Sequence, residues 1–89
     1  MTTSILETTP RAASVSFSDD ELVVALTDGR VLSVPLAWFP RLFHATKAQR
    51  ADWRLIGEGE GIHWESLDED LSVAGLFRGT PAPPLLNTQ

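Results

Sequence analysis

The sequence predicts a small α+β domain, with a mainly antiparallel sheet of about five strands and short helices on one face. Three observations support this class. Runs rich in β-branched and apolar residues are grouped together and do not alternate with long helical patterns. An Asp28-Gly29 pair separates two of these runs, which is a strong hairpin signal. The helical patterns are short, so the predicted order is β-β-β-α-β-β-α.

The first three predicted strands form a meander. Residues 14–18 alternate polar and apolar side chains, as a half-buried strand does. Residues 22–27 and 30–34 form the hairpin around Asp28-Gly29, for which a type I′ turn with positive φ at both central residues is expected. Pro35 ends the third strand, because proline cannot donate to a sheet ladder.

Short helical segments follow. Within residues 36–43, four apolar residues lie on one face of a helix, with Pro40 suited to its first turn. Thr46 predicts the N-cap of a second helix over residues 47–52. Ser72 predicts the cap of a last helical turn that runs to Leu76.

Two more strands are predicted over residues 53–56 and 62–64. The glycines between them, Gly57, Gly59 and Gly61, predict a tight or bulged connection. The G-E-G-E-G run resembles a phosphate cradle only superficially, because Glu58 and Glu60 would repel phosphate and no P-loop lysine follows. Residues 67–71 match neither strand nor helix periodicity clearly.

Composition divides the chain into three parts and limits its function. Residues 1–12 are predicted to be a disordered N-terminal segment, residues 13–77 a single domain, and residues 78–89 a Pro-rich flexible tail. A core this small favours homodimerisation as a supplement. The chain has no cysteine and no membrane-length apolar run, and no secretory signal is visible, so we expect a soluble cytoplasmic protein. A net charge of −5 argues against general nucleic-acid binding.

No catalytic or metal-binding motif is assembled in the sequence. His63 has no triad partner at a diagnostic spacing, and neither an HExxH nor an EF-hand pattern exists. Asp68, Glu69 and Asp70 are predicted to form a solvated turn. His63 and Trp64 should face opposite sides of a strand, with one buried and the other exposed. We therefore expect no enzyme activity, no metal and no cofactor.

Aromatic and charged residues give the remaining signals. The three tryptophans and four phenylalanines are expected to be mostly core, with one tryptophan left partly exposed. A basic segment precedes an acidic one, and this segregation either steers a partner or is neutralised internally. The default expectation is internal pairing of Arg41 or Arg50 with Asp68 or Asp70.

Several motifs resemble the bacterial domain-of-unknown-function family 2442 over about residues 15–77. They are Gly61-Ile62-His63-Trp64, Leu67-Asp68-Glu69-Asp70 and Ser72-Val73, preceded by Pro40-Arg41-Leu42. The resemblance implies a small α+β fold with no established activity, cofactor or ligand. It also implies a gene beside another small gene, in an arrangement similar to toxin–antitoxin pairs. Some family members carry a helix-turn-helix extension, whereas only a Pro-rich tail follows Phe77 here.

Three functional hypotheses follow. The favoured one is a non-enzymatic protein-interaction module, the acidic partner in a toxin–antitoxin-like pair, with His63 or Trp64 as anchor. Its predicted surface comprises His63, Trp64, Glu65, Asp68, Glu69 and Asp70. The alternative is a nucleic-acid-linked transcriptional regulator that uses the basic residues Arg41, Lys47, Arg50 and Arg54. A third is a small hydrolase or metal-dependent enzyme built on His63 with Asp68 and Asp70.

Overall fold

Two three-stranded antiparallel sheets make up the protein, in a computed structural model that describes residues 10–79. The strands are β1 (Ala12–Phe17), β2 (Glu21–Leu26), β3 (Val31–Pro35), β4 (Trp53–Ile56), β5 (Gly61–Trp64) and β6 (Glu69–Ser72). The helices are α1 (Pro40–Phe43), α2 (Lys47–Ala51) and α3 (Val73–Arg78), with single 3₁₀ turns at Leu36–Trp38, Gly57–Gly59 and Glu65–Leu67. The predicted α+β class is confirmed, whereas the five-strand order matches only roughly.

The predicted domain boundaries fall near the limits of the described residues. β1 begins at Ala12, so the last residue of the predicted N-terminal segment belongs to the sheet. α3 continues to Arg78 and is followed by Gly79 with a φ of 74°. The predictions for residues 1–9 and 80–89 lie outside the described part of the chain.

The first sheet, in the order β1-β2-β3, packs one face against the core. The register aligns Phe17 with Leu22 and Leu22 with Val34, and it aligns Val15 with Val24. Side chains alternate between the faces of a strand, so these rows share the face that contributes to the core. Leu22 and Val24 are fully buried there.

The β2–β3 hairpin is confirmed, but the predicted type I′ turn is wrong. Leu26 donates its backbone N–H to Arg30 at 2.8 Å, which leaves a loop of three residues. Gly29 has a φ of 96°, whereas Asp28 is not among the positive-φ residues. A type I turn followed by one left-handed glycine has this geometry, so Asp28 needs no positive φ. The Asp28 carboxylate instead accepts a hydrogen bond from the backbone N–H of Arg30 at 3.0 Å.

The second sheet, in the order β4-β5-β6, contains a strand that the sequence prediction missed. Glu69 and Asp70 pair with Trp64 and His63 in β6, so the predicted solvated turn over residues 68–70 is wrong for two of its three residues. Only Asp68 makes a turn, with a left-handed φ of 53°. The glycine-rich connection is confirmed as a tight turn, in which Gly57 and Gly59 have φ of 59° and 97°.

The helices begin where the caps predict. The Thr46 hydroxyl accepts from the Gln49 N–H, and the Gln49 side chain accepts from the Thr46 N–H, which forms a capping box for α2. The Ser72 hydroxyl accepts from the Gly75 N–H at 2.9 Å and caps α3. Pro40 occupies the first turn of α1, as predicted, but a 3₁₀ turn precedes it, so residues 36–43 are not one helix.

Trp64 joins the two sheets. Its side chain is fully buried and meets the Phe17 ring edge-on, with ring centroids 6.3 Å apart. Its indole Nε1 donates to the backbone carbonyl of Arg50 at 2.9 Å. The Arg50 guanidinium lies 5.8 Å from the centre of the Phe17 ring and donates to the carbonyls of Leu42 and Phe43 at 2.8 and 2.9 Å. One arginine therefore ties α1 and α2 to both sheets.

Candidate functional site

A row of charged side chains crosses the solvent-facing side of the second sheet. The register aligns Arg54 on β4 with His63 on β5, and His63 with Asp70 on β6. The residues immediately before and after Arg54, His63 and Asp70 face the core, since side chains alternate along a strand. Glu65, just after β5, completes the row because its Oε1 lies 2.8 Å from His63 Nε2 and 3.5 Å from Arg54.

His63 is held between two carboxylates. Its Nδ1 lies 2.5 Å from Asp70 Oδ1, and its Nε2 lies 2.8 Å from Glu65 Oε1. The doubly protonated imidazolium can donate at both positions. The hydrogen bond to Asp70, and to a smaller extent the one to Glu65, therefore raise the pKa of His63 above its ordinary value.

Trp64 and Glu69 lie on the opposite side of this sheet from His63. The register places them directly opposite each other, in a row that begins at Trp53. Trp64 is fully buried, so the prediction that it could anchor a partner at the surface does not fit this conformation. Glu69 is also buried, and its burial raises its pKa, while the positive charge of Arg41 acts in the opposite direction.

The expected ion pair of Arg41 or Arg50 with the carboxylate of Asp68 or Asp70 is wrong, because both arginines donate to backbone carbonyls. Arg41 donates to the backbone carbonyl of Asp68 at 2.7 Å, not to a carboxylate. Arg50 donates to the backbone carbonyls in α1. The Asp70 carboxylate bonds to His63 instead. Cross-strand register pairs Asp70 with His63, and the packing of the helices determines the carbonyl partners of the two arginines.

The four residues of the predicted basic face are dispersed. Arg41 and Arg50 use their guanidinium groups to hold backbone carbonyls, and Arg54 pairs with Glu65 at 3.5 Å on the second sheet. Lys47 stands at the beginning of α2. Such an arrangement offers phosphate far less than four free cations on one surface would, which weakens the geometric case for the nucleic-acid alternative.

A shallow depression of about 520 Å³ lies beside the charged row. The side chains of Ile56, Glu60 and Asp70 line it, together with Gly57 and Gly61. Glu60 lies within the predicted surface stretch of residues 58–70, whereas Ile56 was missed as a site residue, because nothing local places the end of β4 near β6. The only sequence signal was the glycine-rich turn that brings them together.

We name five side chains the acidic face: Ile56, Glu60, His63, Glu65 and Asp70. The three carboxylate side chains are 71%, 75% and 67% exposed, in chain order. Ile56 is 42% exposed, which is high for a large apolar residue. His63, Glu65 and Asp70 were predicted as surface residues and lie together here, whereas Asp68 is at the adjoining turn and Trp64 and Glu69 are in the interior.

The contacts of His63 determine what chemistry its ring can perform in this conformation. A general base needs a nitrogen that is free to reach a substrate proton, and both His63 nitrogens already contact carboxylate oxygens. Within residues 10–79, no group of three or more side chains is arranged to hold a metal ion. No helix in that range is long and apolar enough to cross a membrane.

Comparison with known proteins places the chain in a family. It belongs to the family described as "Protein of unknown function (DUF2442)", whose model matches residues 12–82. No curated protein matches it. The predicted family resemblance is thus confirmed.

Two solved structures share this fold. A protein of unknown function from Rhodospirillum rubrum is 33% identical, with a TM-score of 0.72, and the match covers 83% of this chain and 92% of that one. An uncharacterized protein from Chromobacterium violaceum is 25% identical, with a TM-score of 0.70, and the match covers 82% of this chain and 69% of that one. These likenesses support the fold and leave the function to be argued from the site.

Proposed function

We propose that this protein is a non-enzymatic protein-interaction module that binds a basic partner protein through its acidic face. The observation that supports this most directly is the presence of three exposed carboxylates on one side of the second sheet, two of which, Glu60 and Asp70, lie beside the exposed Ile56. An apolar anchor inside a charged rim is typical of interfaces that exclude water at the centre and select partners by charge at the edge.

The electrostatics of the chain agree with a basic partner. The net charge is −5, and the acidic side chains at Glu58, Glu60, Glu65, Asp68 and Asp70 all lie in or beside the second sheet. A mainly acidic surface speeds association with a basic partner and opposes association with anions, and here three carboxylates outnumber the cations Arg54 and protonated His63 in the same region. The internal bonds of His63 argue for binding and against hydrolysis, because they leave no free imidazole nitrogen.

The gene arrangement implied by the family supplies a candidate partner. We propose that the protein pairs with the product of an adjacent small gene, as the acidic member of a toxin–antitoxin-like pair. This pairing predicts a stoichiometric complex that resists nuclease.

Co-expression of the tagged chain with the neighbouring gene tests the proposal. A Glu60→Lys/Glu65→Lys variant should reduce co-purification at least about tenfold, because like charges opposed across an interface cost several kcal/mol. The matched control, Asp19→Lys/Glu21→Lys, makes the same change in net charge at exposed positions in the β1–β2 turn and at the start of β2, and it should retain the partner.

Circular dichroism melts of all three proteins confirm that each variant is folded. Equal loss of the partner in both variants would show that only net charge matters and would remove the acidic face from the proposal. Loss of all co-purifying material after nuclease treatment would favour the nucleic-acid alternative.

A further inference from the structure

The depression beside the charged row has a floor that depends on two glycines. A Cβ atom added to Gly61 would lie 3.0 Å from Ile56 Cγ1 and 3.2 Å from the Leu71 carbonyl oxygen. A Cβ atom added to Gly57 would lie 3.2 Å from Glu60 Oε1. All three distances are tighter than ordinary van der Waals contact, so a side chain at either position would displace Ile56, the β6 backbone or Glu60, which line the depression.

The walls of the depression differ in chemistry. Ile56 supplies an apolar wall, and Glu60 and Asp70 supply carboxylates. Within the described residues, one oxygen of each carboxylate is engaged by a neighbouring side chain. Asp70 Oδ1 bonds to His63, and Glu60 Oε2 lies 3.6 Å from an Arg11 nitrogen. Within residues 10–79, Asp70 Oδ2 and Glu60 Oε1 have no hydrogen-bond or ion-pair partner.

We propose that this depression accepts the side chain of one arginine from the partner protein, an inference that rests on the proposed function. The methylene stem of the arginine packs on Ile56, and its guanidinium bonds to the two unengaged carboxylate oxygens. A long cationic side chain buries its stem on an apolar surface while its charged end stays at the rim. The planar guanidinium offers five donors and can meet both acids at once, whereas a lysine presents a single point charge.

Charge complementarity excludes the other simple occupants. An anionic ligand would meet two carboxylates, and a purely apolar group would give their second oxygens no hydrogen-bond donor. A metal ion would need more ligands than the depression brings together in the described part of the chain. An arginine satisfies the apolar wall and the acidic rim together.

A titration of ¹⁵N-labelled protein with N-acetyl-L-arginine N-methylamide tests the inference. The amides of Gly57, Gly61 and Leu71 should shift and saturate with a millimolar dissociation constant. The corresponding citrulline derivative has nearly the same shape without the charge, and it should not saturate. Shifts that are equal for both probes, or spread over all acidic residues of the surface, would overturn the proposal.

Two variants test the rim and the wall separately. Glu60→Gln should weaken arginine binding about two- to fivefold, as expected for one exposed ionic contact. Ile56→Thr keeps the branched shape and should also weaken binding by removing apolar area. Their matched controls are Glu21→Gln and Val31→Thr on the first sheet, and Val31 is itself 62% exposed. Unchanged affinity in both test variants would overturn the proposal.

Failure of the arginine site can be distinguished from failure of the proposed interaction function. If the neighbouring protein co-purifies and Ile56→Thr leaves its binding intact, the interaction module stands and the arginine site is wrong. If arginine saturates the depression and no protein partner is captured, the site exists and the proposed function fails.

Discussion

His63 Nδ1 on β5 lies 2.5 Å from Asp70 Oδ1 on β6, and the two residues are direct cross-strand partners. Glu65 contacts the other ring nitrogen at 2.8 Å. His63 and Asp70 are seven positions apart in the sequence, and the pairing of β5 with β6 brings them together. The His63–Asp70 contact therefore depends on correct pairing of β5 with β6 as well as on the charges of the two side chains.

The Asp70→Asn substitution should lower the pKa of His63. In the native protein the hydrogen bond to Asp70 is the largest cause that raises it. The asparagine keeps the shape of the side chain but loses the charge that favours the imidazolium. NMR titration of the His63 ring measures the change. Glu58→Gln is the control, because Glu58 bonds to Arg11 and not to His63.

The same substitution should alter stability in a pH-dependent way. Because the folded pKa of His63 is raised, the stabilisation from protonated His63 is complete below the ordinary value of 6.5 and is lost as the pH rises through the folded value. The difference in unfolding free energy between the native protein and Asp70→Asn should therefore shrink as the pH rises from about 6 towards alkaline values. A difference that grows over this range would contradict the assignment.

Trp64→Phe should lower the free energy of unfolding by about 2–4 kcal/mol, from lost volume in the core and a buried carbonyl left without its donor. The carbonyl is that of Arg50, which accepts from the indole nitrogen. Urea denaturation measures the loss. Trp53→Phe is the control at a half-buried position of β4 and should cost less. Equal costs for the two substitutions would show that the Trp64 hydrogen bond contributes little.

The sequence predicted what local patterns determine. Asp28-Gly29, the Thr46 cap and the Ser72 cap all act within a few residues, and each lies where it was expected. β6 was missed because Glu69-Asp70 carries no strand signal of its own. Its structure comes from pairing with Trp64 and His63, which turns one acid inward and the other outward. Without that register, a run of three acidic residues predicts only a solvated turn.

Arg50→Lys should destabilise the fold although it keeps the charge. The Arg50 guanidinium donates to two backbone carbonyls, of Leu42 and Phe43, and a lysine cannot reproduce that fork. We expect a loss of about 1–3 kcal/mol in unfolding free energy. Arg54→Lys is the control, because its exposed ion pair with Glu65 should change stability by less than about 0.5 kcal/mol. If both substitutions had equally small effects, the Arg50 contacts would contribute little to stability, and Arg50 could again be considered as a phosphate-binding residue.

Glu69→Gln should stabilise the protein at neutral pH. Burial raises the pKa of Glu69, so the ionised form is disfavoured in the folded state. Native stability should accordingly fall as the pH rises from the unfolded pKa through the folded pKa, and glutamine removes that fall. Thermal melts of both proteins at acidic and neutral pH measure it, with Glu21→Gln as an exposed control. If Glu69→Gln lowered stability at neutral pH, the attraction between Glu69 and Arg41 would outweigh burial.

Gly59 and Gly29 offer a matched pair for separating backbone strain from steric contact. Their φ angles are 97° and 96°, so alanine at either position adopts a left-handed conformation and loses about 1–2 kcal/mol. A Cβ atom at Gly29 would meet nothing within 4 Å, whereas one at Gly59 would lie 2.5 Å from the Ala12 carbonyl oxygen.

Gly59→Ala should therefore cost about 2–5 kcal/mol in unfolding free energy, and Gly29→Ala only the strain. The excess measures how closely the glycine-rich turn packs on β1, the contact that also brings Arg11 to within 2.7 Å of Glu58. Urea denaturation of the two variants gives the comparison directly. Equal costs would mean that β1 moves away at little expense, and the turn would then join the two sheets only loosely.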